Sequence, residues 1–197
     1  MSKGETTRQA ILDRATELAS KLGLEGLTIG MLATDLGLSK SGLFAHFKSK
    51  EALQVQVLEH IEARFVELAI KPALKAPRGE PRLRALFDNI LAWPKRHELP
   101  GGCPLIAAAS ELDDRPGPAR DLLVRQQRDW LDTIATVVRS GLSERQFHAD
   151  VDPEQIAFEL YGIEFAYHHA YRLLADPNAE KRARQAFEAL LERCRSK

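Results

Sequence analysis

Cysteine is scarce in this sequence: 197 residues contain two, Cys103 and Cys194. Two thiols cannot build a disulfide scaffold or a four-cysteine zinc site. Net charge is absent, with 28 basic residues balancing 28 acidic ones. Long apolar runs are missing too. No stretch approaches the about 18 apolar residues that a membrane-spanning helix needs. The N-terminal run MSKGETTRQ lacks the apolar core of a signal peptide. Nucleophile–base pairs, phosphate loops and metal-ligand spacings are not found, so no catalytic residue, metal or cofactor is expected. The adjacent His168 and His169 point about 100° apart on a helix, which makes a poor metal pair. With 44% apolar residues, disorder as the main state is excluded. These absences leave a soluble, cytoplasmic, globular chain as the expectation.

What is present is unevenly distributed. Residues 1–50 carry seven basic and five acidic groups, whereas 51–197 carry 21 and 23. Between Leu36 and Lys50 there is no acid, but Lys40, Lys48 and Lys50 are there. Such a surface suits phosphates, or is simply solvated.

Apolar spacing is helical nearly throughout, and the expectation is an all-α fold of about nine helices. Ile11, Ala15, Leu18 and Leu22 form one stripe, with Thr6 or Thr7 as a start signal and Gly23 as a stop. Thr28 caps a short helix carrying Ile29, Leu32, Ala33 and Leu36, and Ser39 caps another reaching about Ala45. Ser49 caps a long helix with the stripe Leu58, Ile61, Phe65 and Leu68, which Pro72 and Pro77 should end. Further helices are expected over 82–96, 104–112, 119–140, 152–175 and 178–193. Breaks are expected at 98–104 and at DDRPGP, and the order Asp152-Pro153 is the preferred cap-then-proline start. The shift in composition near residue 50 divides the chain into a small module, 1–50, and a larger bundle, 51–197.

The segment 28–47 reads TIGMLATDLGLSKSGLFAHF. Two short helices flank the tight turn Gly37-Leu38-Ser39, which is helix-turn-helix spacing. Gly37 supplies the positive φ such a turn requires. Leu32, Leu36 and Leu43 can pack the pair together, leaving Lys40, Ser41, Gly42 and Ala45 outward, where small residues permit close approach to a major groove. The same spacing also fits an ordinary helical hairpin in an all-α core.

The stretch from Thr7 to Leu53 resembles the N-terminal domain of the TetR/AcrR family of transcriptional regulators. The matching residues are Thr7-Arg8, Ile11-Leu12, Ala15, Leu18, Gly23, Thr28, Ile29, Ala33, Gly37, Ser39, Phe44, His46-Phe47 and Lys50-Glu51-Ala52-Leu53, with FAHFKSKEAL the strongest run. The family usually has tyrosine where this chain has Phe44, so a hydroxyl contact to phosphate is lost while the ring can still pack against the sugar. The resemblance implies a homodimer that sets one recognition helix, about 39–45, into each major groove of a pseudo-palindromic double-stranded DNA operator. It carries Thr28, Ser39, Lys40, Ser41, Gly42, Phe44, His46 and Lys50 over as DNA-binding residues. Lys40, Ser41 and Gly42 would read bases, and His46 would touch DNA or only pack beneath the domain. It further implies a larger domain that binds a small-molecule effector and makes the dimer, and a repressor released by its ligand.

Within 51–197, the helices 152–175 and 178–194 are expected to form a four-helix dimer interface, or else a monomeric core. On the first, Ile156, Leu160, Ile163, Tyr167 and Leu174 line one side, and Phe158, Tyr161, Phe165 and His169 another. The last helix offers Ala183, Phe187, Leu190 and Cys194. Phe65, Phe87, Trp93, Trp130, Phe158, Tyr161 and Phe165 are candidate walls of an effector cavity, or plain core. Glu159, Glu164, His168 and His169 gain meaning if buried. Cys103, in GGCPL, falls at a helix N-cap, where the dipole favours a thiolate. The segment GGCPLIAAASEL resembles one in a branch of the family, some of whose members sense electrophiles or oxidants through such a cysteine. Cys103 is therefore a redox-sensor candidate, or a small residue in a turn. The alternative to a regulator is an all-α enzyme or an interaction bundle without DNA binding.

Overall fold

Caps, kinks and apolar stripes divide the main chain of the computed structural model into nine helices among the described residues, 3–96 and 99–196. The side chains of 3–6 and 96 lie outside that description, so the start signal at Thr6 and part of the break at 98–104 cannot be placed. The helices are α1 (Lys3–Gly26), α2 (Ile29–Leu36), α3 (Lys40–Phe47), α4 (50–73), α5 (Glu80–Arg96), α6 (Pro104–Leu112), α7 (Pro118–Ser143), α8 (Pro153–Arg172) and α9 (Ala179–Cys194). The one β feature described is an isolated bridge between Phe147 and Arg195. No described helix is long and apolar enough to cross a membrane. Contacts group the chain into two compact units, Met1–Arg64 with Pro94–Arg125, and Phe65–Trp93 with Gln126–Lys197.

In the first unit α1 begins at Lys3, ahead of both threonines expected to start it. It bends at Gly23, where φ is +74°. A Cβ there would lie 1.9 Å from the Glu111 carboxylate, which accepts the Glu25 N–H at 3.0 Å and satisfies the backbone freed by the kink. The bend also moves the buried face. Ile11, Leu12, Ala15 and Ala19 are buried as far as the kink, and Leu24 and Leu27 after it, while Leu22 is 47% exposed rather than part of the stripe. α6 lies close against α1: a Cβ on Gly101, just before α6, would fall 1.3 Å from the Ser20 carbonyl oxygen. Leu53, Val57, Leu58 and Ile61 of α4 complete this core.

α4 passes through Pro72 instead of ending there. It is α-helical over Lys50–Phe65, widens to a π turn over Val66–Ile70, and resumes over Lys71–Ala73. Proline lacks an N–H and crowds the preceding turn, and a π turn makes room for it. Asn89 donates to the Ala69 carbonyl at 2.8 Å. The surplus residue shifts the stripe by one place, so Ala69 and Ala73 are buried and Leu68 is 40% exposed.

In the second unit Leu83, Leu86 and Phe87 of α5, Ile134 and Val138 of α7, Leu160 of α8, and Phe187 and Leu190 of α9 are all buried. Phe87 stacks on Phe187 at 4.0 Å between centroids. Asp152 caps α8 by accepting from the Glu154 and Gln155 N–H groups at 3.0 and 3.3 Å. α8 stops at Arg172, sooner than its apolar pattern suggests, because Ala175 takes a positive φ of 48° ahead of Pro177. Leu174 therefore lies beyond the helix and 62% exposed. Asn178 occupies the cap position of α9 without a capping side-chain bond, and its own N–H goes to Asp176. The C-terminus is tied back by His148 N–H to the Cys194 carbonyl at 2.9 Å, and by Arg195 to Glu80. Arg195 and Arg84 together hold the Glu80 carboxyl below its usual range, Arg195 first.

Candidate nucleic-acid interface

The helix-turn-helix is assembled by short-range capping. Thr28 accepts the Met31 N–H at 3.1 Å, which starts α2. Gly37 ends it at φ 64°, ψ 26°, a left-handed residue with nothing in reach of a Cβ. Ser39 starts α3 by accepting the Gly42 N–H at 3.1 Å, and Ser49 starts α4 by accepting from Ala52 at 3.0 Å. Each hydroxyl satisfies a backbone donor that a helix start leaves open. Gly42 has a packing reason as well as an exposed one: a Cβ would come 3.0 Å from the capping Ser39 oxygen. From beneath, Leu32, Leu43 and Phe47 are fully buried. Arg14 of α1 braces α2 through two bonds to Asp35, at 2.6 and 2.8 Å.

This leaves one helix with two faces. Only Leu43 and Phe47 of α3 are buried, and Lys40, Ser41, Gly42, Phe44, Ala45 and His46 are all exposed. Thr28 and Ser39 are exposed at the starts of their helices. Phe44 is 53% exposed, and the sequence reading overlooks two further apolar residues that are also open, Met31 at 40% and Leu38 at 42%. Their place outside the Leu32–Leu43 seam is the signal that could have found them. His46 is exposed and tilts against the Phe47 ring at 6.2 Å, so it does not pack beneath the domain.

Lys50 is committed differently. Its ammonium donates to the Glu25 carbonyl at 2.7 Å and to the Glu25 carboxylate at 3.1 Å. Gln54 and Arg115 bind the same carboxylate at 3.0 and 2.7 Å. Gln54 and then Lys50 hold this acid below its ordinary range. Residues 25, 50 and 115 are far apart in sequence and meet only through tertiary packing, so no local pattern announces this junction.

Phe65 lies edge-on to both Trp93 and Trp130, at 5.4 and 5.2 Å, and this trio is buried. Tyr161 and Phe165 form an edge-on pair at 4.8 Å. Phe87 is stacked on Phe187. Phe158 is 69% exposed, because it falls on the outer side of α8 from Ile156, Leu160 and Tyr167. Cys103, half-buried at the N-cap of α6, belongs to the first unit. Of the four flagged polar groups, Glu164 is buried and His168 half-buried; Glu159 is paired with Arg193, and His169 is exposed. Burial lifts the Glu164 carboxyl to about 8, opposed only by a hydrogen bond from Trp130. No metal-binding group of side chains exists among the described residues.

Capped short helices, a left-handed glycine turn and an exposed, acid-free second helix define a helix-turn-helix DNA-binding protein. Residues 11–57 match the family described as bacterial regulatory proteins, tetR family, and residues 79–187 match the tetracyclin repressor-like C-terminal domain. The chain belongs to the TetR family, transcriptional regulators that are typically ligand-responsive repressors. It is 33% identical over 91 residues to the regulator AcrR of Shigella flexneri, a match spanning 45% of this chain and 42% of AcrR. A TetR regulator of Chloroflexus aurantiacus J-10-FL superposes with a TM-score of 0.84 at 25% identity, over 98% of this chain and 96% of that one. AibR, solved with isovaleryl coenzyme A and operator DNA, shares the fold at a TM-score of 0.73 and 21% identity, over 92% and 96%.

Proposed function

We propose that the chain is a one-component transcriptional repressor, cytoplasmic like the DNA it reads. It works as a homodimer on a pseudo-palindromic operator. Residues 1–50 read DNA, and 51–197 bind the effector and the second subunit. The observation that carries this reading is α3, pinned by Leu43 and Phe47 and open everywhere else. Lys40, Ser41 and Gly42 face base edges, with Phe44 against a sugar. Thr28 and Ser39 offer helix N-termini to phosphates, and His46 and Lys50 add side-chain contacts.

The dimer forms through α8 and α9. A shallow groove between them has a floor of Gly162, Ala166, Ala186 and Ala189, small enough for close helix approach, with Glu159, Glu192 and Arg193 also lining it and Phe158 exposed on α8. Effector binding in the bundle favours a conformer whose two recognition helices no longer match the about 34–36 Å of one DNA turn. AibR, crystallised with both a small molecule and operator DNA, is a precedent for that pairing within the fold. Modification of Cys103 is a second input to the same equilibrium.

A gel-shift titration of the full chain against DNA upstream of its own gene tests the reading. The expected result is a specific retarded band at a ratio of one or two dimers per site. Equal affinity for that fragment and for random DNA would overturn it. For Cys103, a small electrophile should release the wild-type complex and spare the Cys103→Ser variant; equal release of both would remove the thiol from the scheme.

A further inference from the structure

The interior of the second unit holds an acid that DNA reading does not use. Glu164 on α8 is 3% exposed. One carboxyl oxygen accepts the Trp130 indole N–H at 3.2 Å, and the other is fully buried and meets no donor. One turn further on, the buried Nε2 of His168 is also without a partner. Buried polar atoms are nearly always hydrogen-bonded, and residues four apart share a helix face. Two orphaned atoms on one face therefore call for a group that the chain does not supply.

The surroundings say what kind of group. Trp130, which holds Glu164, packs edge-on against Phe65, and Phe65 against Trp93. Tyr161 lies one turn before Glu164 on α8. Aromatic faces attract cations. Among the described residues no arginine or lysine pairs with Glu164, and burial, reinforced by Arg172 and His169, keeps His168 from charging easily. The missing positive charge is the complement this acid lacks.

We propose that Glu164 and His168 form the head-group subsite for an effector with a protonated amine on an apolar, aromatic-sized body. The ammonium donates to the unpaired Glu164 oxygen and to neutral His168, and the body lies against the Trp130–Phe65 rings. This rests on the chain being an effector-responsive regulator, and deepens that reading by naming the ligand class. When the cation arrives, the buried carboxyl releases its proton to solvent and the ammonium takes that proton's place.

The test uses the full chain and its tryptophan fluorescence at neutral pH. The probes are phenylbutylamine, phenylbutanol and phenylbutyrate, which share one body and differ in head group. The amine should bind about tenfold or more tightly than the alcohol, and the carboxylate most weakly. Equal binding of amine and alcohol, preference for the carboxylate, or no binding by any probe overturns the proposal. Glu164→Gln should erase the amine preference and leave alcohol binding within about threefold; a retained preference also overturns it. Should that variant fail to fold by circular dichroism, calorimetry of wild type in two buffers of different ionisation heat decides. Proton release with the amine supports the subsite, and its absence overturns it. Operator binding is measured separately. A chain that shifts its operator but ignores the amine sinks this inference alone. A chain that binds the amine but not DNA sinks the regulator reading and leaves the subsite standing.

Discussion

The helix-turn-helix surface proposed to read DNA and the interior of the second unit treat polar groups in opposite ways. Around α2 and α3, Thr28, Ser39 and Ser49 each satisfy a nearby backbone N–H, and the side chains of Lys40, Ser41 and His46 are exposed. Around α8, a carboxyl is sealed behind Trp130 with one oxygen unanswered. An exposed polar group costs little to keep and can be exchanged freely for a phosphate. A buried one is retained at the expense of stability and reports on whatever enters its surroundings. The comparison teaches that affinity should be separable from stability on the first surface and inseparable from it in the second.

Four measurements bear directly on that contrast. Phe87→Ala removes the stack on Phe187 and leaves a cavity in the second unit, costing roughly 3–5 kcal/mol in chemical denaturation. A cost below 1 kcal/mol would mean that this core is not tightly packed. Glu164→Gln should change the pH profile. The folded chain holds this proton up to about 8, against an ordinary carboxyl value of 4.5. The folded state therefore binds more protons than the unfolded one between those limits. Stability from this group is full below about 4.5 and declines as pH rises toward about 8. The glutamine variant should lack that decline in thermal melts; an unchanged slope would assign it elsewhere. Ser39→Ala removes a cap, with an expected loss of about 1 kcal/mol by denaturation and a larger loss in operator affinity by gel shift. Lys50→Ala should be the mildest for folding. Its pair with Glu25 is exposed and worth about 0–1 kcal/mol, while affinity falls alike on operator and random DNA and the salt slope drops by about one. Selective loss on the operator alone would make Lys50 a base reader.

What could be read from sequence was local chemistry. The caps at Thr28, Ser39, Ser49 and Asp152 and the left-handed turn at Gly37 each involve residues within a few positions, and all are present. The all-α class and the family follow from the same short-range signals and from the run FAHFKSKEAL. Features set at a distance were hidden. The kink at Gly23 is stabilised by Glu111, and the π turn before Pro72 shifts a buried stripe by one residue, which no fixed helical period can anticipate. The exposure of Phe158 and burial of Glu164 depend on which side of α8 meets its neighbours, and an apolar count cannot separate them when both sides are rich in large residues. The Glu25 junction is likewise invisible, because Lys50, Gln54 and Arg115 converge on it from separate segments.

That junction gives Lys50 an internal partner of the kind a nucleic-acid backbone would supply. Glu25 occupies the Lys50 ammonium as a passing phosphate oxygen would, and two other groups share the load. A lysine that swings away leaves behind an acid still paired with the Arg115 cation and hydrogen-bonded by Gln54. Transfer of Lys50 to an external anion is then a trade between equivalent hosts, with no bare charge stranded on either side.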